Sequence, residues 1–198
     1  MHDVIVVGGG PAGLSAALFT AKNDLDTVVF DTDETWMHKA HLFNYLGIDS
    51  EDGTEFVENA REQVEEFGVT LHDQEVTEVD KTADGFAVTT EAETEAGEAT
   101  DKTAGDQTHE GSYVILATGA DRSLADGLNC DFTDEDVVDV GVSMETSVAD
   151  AYATGAMVRA EEWQAIISAG DGAAAALNIL SKEKGEHFHD FDVPADAE

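Results

Sequence analysis

A glycine-rich turn near the start of the chain constrains the fold more than any other feature. Residues 4–7 (Val-Ile-Val-Val) form a continuous β-branched run, which is typical of a strand buried on both faces of a parallel sheet. The run continues directly into Gly8-Gly9-Gly10-Pro11-Ala12-Gly13, and the Ala- and Leu-rich residues 12–21 predict a helix. A second apolar run at residues 27–30 completes a predicted β-α-β unit.

The turn has the spacing Gly8-x-Gly10-x-x-Gly13, and Asp31 follows about twenty residues later at the end of the next predicted strand. Gly8 permits a tight turn, Gly10 lets the backbone approach a pyrophosphate, and Gly13 allows close helix–strand packing. The helix N-terminus, with Pro11 in its first turn, offers free N–H groups to phosphates. We expect Asp31 to accept hydrogen bonds from ribose hydroxyls and to disfavour a 2′-phosphate. These residues predict a dinucleotide site and leave FAD and NAD both open; a glycine-rich turn without ligand is the weaker alternative.

The charge of the chain excludes two classes of partner. Asp and Glu number 44 against 9 Lys and Arg, which gives a formal net charge of −35. Such a field repels nucleic acids and anionic membrane surfaces. The carboxylates are dispersed along the chain, as expected for a halophilic protein, because the Debye length falls to about 3 Å at 1 M salt.

The cysteine content excludes thiol-based centres. Cys130 is the only cysteine, so the chain can form no intramolecular disulfide, CxxC redox pair or thiolate metal cluster. We interpret Cys130 as inert, with a lone reactive thiol as the alternative. His187 and His189 lie in a polar tail beside two aspartates, where adventitious metal binding is the simplest interpretation, so no metal site is predicted. The chain shows no basic leader and no stretch of about 20 apolar residues, so a cytoplasmic protein is expected.

The remaining pattern predicts an α/β fold: a three-layer, Rossmann-like domain with a central parallel sheet and a small antiparallel β meander at residues 75–90. We expect one domain over residues 1–181 and a polar tail over residues 182–198. The other predicted elements are a helix at 54–67, a solvated loop or hairpin tip at 91–111, a buried strand at 113–117, short strands at 137–140 and 150–154, and a last helix at 161–181.

Five stretches, in the same order, resemble the FAD domain of the thioredoxin-reductase-like flavoproteins, which have two dinucleotide-binding domains. They are the glycine turn, the stretch Phe43-Asn44-Tyr45-Leu46-Gly47, residues 75–80, the Ala117-Thr118-Gly119 signature after its strand, and residues 146–155 followed by Gln164-Ala165. The second is similar to the family's Asn-aromatic-Pro-Gly stretch, with Leu46 in place of Pro. The resemblance covers nearly the whole chain and implies FAD as cofactor and a homodimer.

The resemblance also implies which residues hold FAD, and it assigns no catalytic residue. They are Gly8, Gly10, Pro11, Ala12, Gly13, Asp31, Thr32, His38, Asn44, Val76, Thr118, Gly119, Gly155, Ala156, Trp163, Gln164 and Ala165. In the family, the backbone at Val76 lies against adenine, and the helix that begins near Ala165 points at the flavin pyrimidine. His38 and His41 occupy the loop that faces the flavin in this family. One interpretation is that they relay protons, and the other is that they are simply exposed loop residues. Trp36 is expected either to shield the flavin ring or to anchor that loop. Trp163 is expected either to stack near the flavin or to pack against the start of the helix.

Three departures separate the chain from the family pattern. Only residues 121–145 lie where the family inserts a pyridine-nucleotide domain of on the order of a hundred residues, and they contain no second glycine motif. The redox CxxC is absent with that domain. The family's Gly-Asp pair, which holds the ribityl chain, is Gly155-Ala156 here.

The sequence therefore predicts an FAD-binding oxidoreductase or electron-transfer flavoprotein. It would depend on an external electron donor: a nicotinamide nucleotide, a ferredoxin or a partner protein. The alternative is a non-catalytic flavin- or nucleotide-binding module or partner subunit, and a third, weaker hypothesis is direct NAD binding at residues 8–31.

Overall fold

The computed structural model of the chain describes residues 1–91 and 106–193. Its elements follow the order of the chain: β1 (His2–Val7), α1 (Pro11–Lys22), β2 (Thr27–Asp31), β3 (His41–Leu42), β4 (Glu51–Asp52), α2 (Gly53–Glu66), β5 (Thr70–Asp73), β6 (Val76–Lys81), β7 (Phe86–Thr90), β8 (Gln107–Leu116), α3 (Ser123–Gly127), β9 (Ala151–Ala153) and α4 (Ala165–Lys184). Two short 3-10 turns, Trp36–Lys39 and Gly155–Val158, follow β2 and β9.

The main sheet has the strand order β5-β2-β1-β8-β7-β6, and β9 also pairs with β8. The pairs β5–β2, β2–β1, β1–β8 and β8–β9 are parallel. The pairs β6–β7 and β7–β8 are antiparallel. Strands β6 and β7 form the meander predicted at residues 75–90, and β8 extends it. The α/β fold class is confirmed.

The core lies on both faces of β1, as the continuous apolar run predicted. Val4 and Val6 pack on the face shared with α1 and α4, whereas Ile5 and Val7 pack on the face covered by the meander and α3. The result is three layers: helices, parallel sheet and meander. Close contact between α1 and α4 depends on Gly172, because a Cβ there would lie 2.0 Å from the carbonyl oxygen of Ala12.

Two sequence predictions about the middle of the chain are wrong. The sequence predicts that residues 107–111 lie in a solvated loop or hairpin tip, but they belong to β8 because they pair with β7, with Gly111 opposite Phe86. Residues 92–105 of the predicted loop lie outside the described residues. Residues 137–140 do not form the predicted strand; Val138 makes only an isolated bridge with Phe132.

The last helix differs from its prediction at both ends. It begins at Ala165 instead of residue 161, because the backbone N–H groups of Trp163 and Gln164 bond to carbonyls two residues earlier in a turn. It ends at Lys184, beyond the predicted residue 181, and Gly185 follows with φ +69°, the usual left-handed helix terminator. Within the described ranges, no helix is both long enough and apolar enough to cross a membrane.

Candidate functional site

Four parallel strands end at the same edge of the sheet, and their C-terminal turns form the candidate site. The backbone N–H of Gly8 donates to the carbonyl of Phe30 (2.8 Å), and Ala117 donates to Val7 (2.8 Å). Thr154 donates to Leu116 in the same way (2.9 Å). The turns after β1, β2, β8 and β9 therefore lie side by side, at the edge where open α/β sheets bind ligands.

The first turn is a tight cradle that only glycine can form at two positions. Gly8 has φ +109°, and a Cβ there would lie 2.3 Å from the carbonyl oxygen of Ala117. A Cβ at Gly13 would lie 1.9 Å from the carbonyl oxygen of Gly8. Gly10 differs, since a Cβ there would meet only Thr35 Oγ1, at 3.4 Å. The outer face at Gly10 is therefore open for a ligand to approach the backbone.

The N-terminus of α1 opens onto this cradle. Its N-cap is Gly10, no side chain caps it within the described residues, and its first turn contains no acid. The first N–H groups of a helix have no intrahelical partner and carry partial positive charge. They are available to an anion such as a pyrophosphate.

A second uncapped helix N-terminus lies at the same site. Gln164 is the N-cap of α4, and its side chain makes no capping hydrogen bond in the described part of the chain. Its Oε1 instead accepts from Asn44 Nδ2 (2.7 Å). The Trp36 and Trp163 rings meet edge to face at 6.2 Å, and Trp163 Nε1 donates to the carbonyl of Arg159 (3.0 Å). The structure thus brings together the stretch at residues 43–47 and the start of α4, two of the five stretches that carry the family resemblance.

The turn after β9 is held from two sides. Gly155 has φ +71°, and a Cβ there would lie 3.1 Å from the Ala12 methyl group at the start of α1. Arg122 donates to the carbonyls of Met157 (3.0 Å) and Ala156 (3.3 Å). Gly155 and Ala156 therefore lie at the same edge as the first cradle, as the resemblance implied.

The remaining predicted contacts surround this edge. Thr118 precedes the open left-handed Gly119 and donates its hydroxyl to the carbonyl of Asp121 (2.7 Å). Val76 is buried at the start of the meander, and Thr32 is exposed beside Asp31. The individual contacts of these residues with a cofactor remain predictions.

Asp31 has a partner that sequence reasoning missed. Its carboxylate is 9% exposed, and Oδ2 accepts from Arg61 Nη1 (2.8 Å). Arg61 Nη2 donates to Asp73 Oδ1 (2.9 Å), and Nη1 approaches Asp33 Oδ1 (3.5 Å). The available signal was that the strongly acidic chain has only three arginines, which are Arg61, Arg122 and Arg159.

The two loop histidines are tied to hydroxyl groups. His38 Nδ1 bonds with Thr54 Oγ1 (3.1 Å), while its Nε2 bonds with Asp33 Oδ1 (3.0 Å). His41 Nε2 bonds with Ser50 Oγ (2.8 Å). Both ring nitrogens of His38 are therefore hydrogen-bonded, and these bonds fix the orientation of the imidazole ring.

The lone thiol and the histidines of the tail are the remaining candidate reactive groups of the sequence. Cys130 is buried, and burial raises the pKa of its thiol although a hydrogen bond with Thr146 opposes the shift. In the described ranges, no group of three or more His, Cys, Asp or Glu is arranged to hold a metal ion. Lys22 Nζ binds Asp190 Oδ1 (2.8 Å), so this part of the tail packs against the end of α1.

A glycine cradle, two uncapped helix N-termini and an acid at the end of the second strand all lie at one edge of the sheet, an arrangement typical of dinucleotide-binding α/β domains. Residues 2–129 match the family described as pyridine nucleotide-disulphide oxidoreductase. Because this match covers more than half of the chain, the protein belongs to that family.

Curated relatives agree with this assignment, and solved structures share the fold. The thioredoxin reductase of Streptomyces clavuligerus is 33% identical over 163 residues, which cover 71% of this chain and 47% of the relative. The chain spans about half or less of the length of the curated relatives that it matches. The atypical thioredoxin reductase TRi of Desulfovibrio vulgaris Hildenborough shares the fold (TM-score 0.79, 18% identity, covering 94% of this chain and 99% of that chain). So does a ferredoxin-flavin thioredoxin reductase of Clostridium acetobutylicum (TM-score 0.74, 18% identity, covering 93% and 99%).

Proposed function

We propose that the chain is a thioredoxin-reductase-like oxidoreductase that binds FAD at the carboxyl edge of its sheet. One observation carries this proposal: the uncapped N-termini of α1 and α4 open onto the same edge, beside the glycine cradle. Positive potential at two separate places would stabilise both the pyrophosphate of a dinucleotide and a ring that becomes negative when it accepts electrons. When bound, FAD would supply the hydride and electron transfer that protein side chains cannot perform.

The residues present fit such a group. The open backbone face at Gly10 and the first N–H groups of α1 would hold the pyrophosphate, and Asp31 would bind the adenosine ribose. The N-terminus of α4, beginning at Ala165, would stabilise negative charge that develops on the bound ring. Asn44 fixes the orientation of Gln164 at that terminus. The Trp36–Trp163 pair would exclude water from this side of the site.

The electron donor is proposed to be external, because residues 121–145 form only a short connection that contains α3. A nicotinamide nucleotide, a ferredoxin and a partner protein are the candidate donors. The ferredoxin hypothesis gains support from a solved structure of the same fold whose protein is named a ferredoxin-flavin thioredoxin reductase. A cytoplasmic location and a homodimer belong to the same proposal.

Absorbance spectroscopy and anaerobic reduction test the proposal together. The purified chain, or the apoprotein titrated with FAD in molar KCl, should show flavin absorption that bleaches with NADH, NADPH or reduced ferredoxin. Gly10→Val should lose FAD while keeping the melting temperature, because a side chain at residue 10 fills the ligand face without meeting the core. Gly127→Val is the control, since a Cβ there meets nothing within 4 Å and lies outside the glycine cradle. A chain that takes up no FAD contradicts the proposal.

The second candidate is a non-catalytic flavin-binding module or partner subunit. It is favoured by Ala156, where the family pattern has an Asp, and by the lone, buried Cys130, which leaves no cysteine pair to accept electrons. Flavin that binds stoichiometrically but is not reduced by any of the three donors would favour this candidate over an enzyme.

A further inference from the structure

Arg61 lies at the point where two strand ends place acidic side chains next to each other. Asp31 and Asp73 are register partners at the ends of β2 and β5, so their carboxylates share one edge of the sheet. Arg61 reaches both from α2, with Nη1 on Asp31 and Nη2 on Asp73. Its side chain is 19% exposed and that of Asp31 is 9% exposed, so this ion pair is screened less than a surface pair.

We propose that Arg61 is a positioning residue of the nucleotide site, which holds the Asp31 carboxylate in the orientation that receives a ribose. This inference rests on the proposed function and deepens it. The guanidinium occupies Oδ2 of Asp31, whereas Oδ1 has no hydrogen-bond partner among residues 1–91 and 106–193. Without Arg61, a nearly buried carboxylate would face Asp33 and Asp73 with no compensating charge, and such repulsion would turn it away from the site.

The same contacts give the site a specificity. An arginine beside the ribose-binding position commonly accommodates a 2′-phosphate. Here both terminal nitrogens of Arg61 are already bound to carboxylates, which compensate its positive charge and so weaken its attraction for a phosphate. The groove next to it is lined by Glu58, Glu62 and Glu65, which add repulsion. The site is therefore built for an adenosine whose ribose is not phosphorylated.

Calorimetric titration of the nucleotide-free chain in molar KCl tests this inference, with ADP and adenosine 2′,5′-bisphosphate as probes. Arg61→Gln should weaken ADP about tenfold, the size of one charge-assisted hydrogen bond. In an Asp31→Ser background the same change should alter ADP affinity by less than about twofold, because Arg61 acts through Asp31. Asp31→Ser alone should tighten adenosine 2′,5′-bisphosphate, and adding Arg61→Gln should remove that gain.

Two further variants separate positioning from folding. Lys22→Gln removes an equal charge at the far end of α1 and should leave ADP binding unchanged. Arg61→Lys keeps the charge but not the two-pronged geometry, so its ADP affinity should fall between wild type and Arg61→Gln, provided that melting curves show both variants folded. The positioning role would be overturned if the two substitutions had additive effects on ADP affinity, or if Arg61→Gln bound ADP as tightly as the wild type. Either result would leave the proposed function standing. A wild-type chain that binds neither FAD nor ADP would overturn the proposed function as well.

Discussion

The side-chain amide of Asn44 donates a hydrogen bond to Gln164 Oε1 across 2.7 Å. This contact joins the loop between β3 and β4 to the N-cap of α4, and the Trp36–Trp163 edge contact lies beside it. A loop with little secondary structure is thereby held at the end of a twenty-residue helix. The fixed loop and the open helix terminus together form the side of the site where the reactive ring is proposed to bind.

Tryptophan fluorescence should report FAD binding, because both tryptophans of the chain lie at this contact. Saturating FAD should quench most of the emission through energy transfer to the flavin. Trp36→Phe and Trp163→Phe, titrated in parallel, should each retain a quenchable signal from the remaining ring. Unchanged emission at an FAD concentration that absorbance shows to be bound would place the ring elsewhere.

Ala156→Asp should tighten FAD in molar KCl. A carboxylate at this position accepts a hydrogen bond from a ribityl hydroxyl in the family pattern, and such a bond is worth about 1.5–3 kcal/mol, or roughly ten- to a hundredfold in affinity. High salt limits the repulsion that a new carboxylate meets in a chain of net charge −35. The comparison is a titration of both apoproteins with FAD, with Ala156→Asn as an uncharged acceptor. Equal or weaker binding by Ala156→Asp would show that the ribityl chain runs elsewhere.

Alanine substitutions at two glycines of α4 should change the free energy of unfolding in opposite directions. Gly172→Ala should destabilise the fold by about 1–3 kcal/mol, because its Cβ would overlap the carbonyl oxygen of Ala12. Gly170→Ala, on an open face of the same helix, should stabilise it by about 0.5–1 kcal/mol, since alanine loses less backbone entropy. Chemical denaturation at constant KCl measures both. A stable Gly172→Ala variant would contradict the close α1–α4 packing.

Salt should stabilise the protein. Because acidic residues number 44 and basic residues 9, salt weakens far more repulsive than attractive interactions between charges. In a chain of this size each kcal/mol of relieved repulsion raises Tm by about 2–4 °C. Melting curves in dilute buffer and in molar KCl provide the measurement, and coincident curves would refute the halophilic interpretation.

Alkaline pH should destabilise the fold through Tyr152. Burial raises the pKa of its phenol to about 12, although the Lys182 ammonium beside it lowers the value, and its hydroxyl donates to Asn178 Oδ1 (2.7 Å). The unfolded phenol titrates near 10. The folded group therefore contributes stability that is complete below about pH 10 and is lost as pH rises through 12.

The corresponding measurement is Tm against pH between neutrality and about 12. Tyr152→Phe should be less stable at neutral pH, because Asn178 loses its donor, and should decline less steeply at alkaline pH. Burial also raises the pKa of Tyr113, which donates to Glu183, so some decline should remain in the variant. A Tyr152→Phe curve parallel to that of the wild type would contradict this assignment.

The elements that the sequence predicted well are those with local causes. The β1–turn–α1–β2 unit forms as expected because strand burial, the glycine cradle and the helix start all depend on neighbouring residues. The misplaced elements depend on distant partners. Residues 107–111 have a loop-like composition, but β7 supplies hydrogen bonds that extend β8 through them. Residues 137–140 have a strand-like composition, but only Val138 finds a bridge partner.

The sequence by itself determined the α/β class, the cradle from Gly8 to Gly13 and the start of α1, since periodic burial and backbone sterics are encoded over short spans. Only the tertiary structure decided which side chains meet at the edge. Arg61 contacts Asp31 across 30 positions of the chain, and Asn44 contacts Gln164 across 120. No periodic pattern in the sequence predicts such pairs. They form because the packing of the whole domain determines where the strand ends and the intervening loops lie.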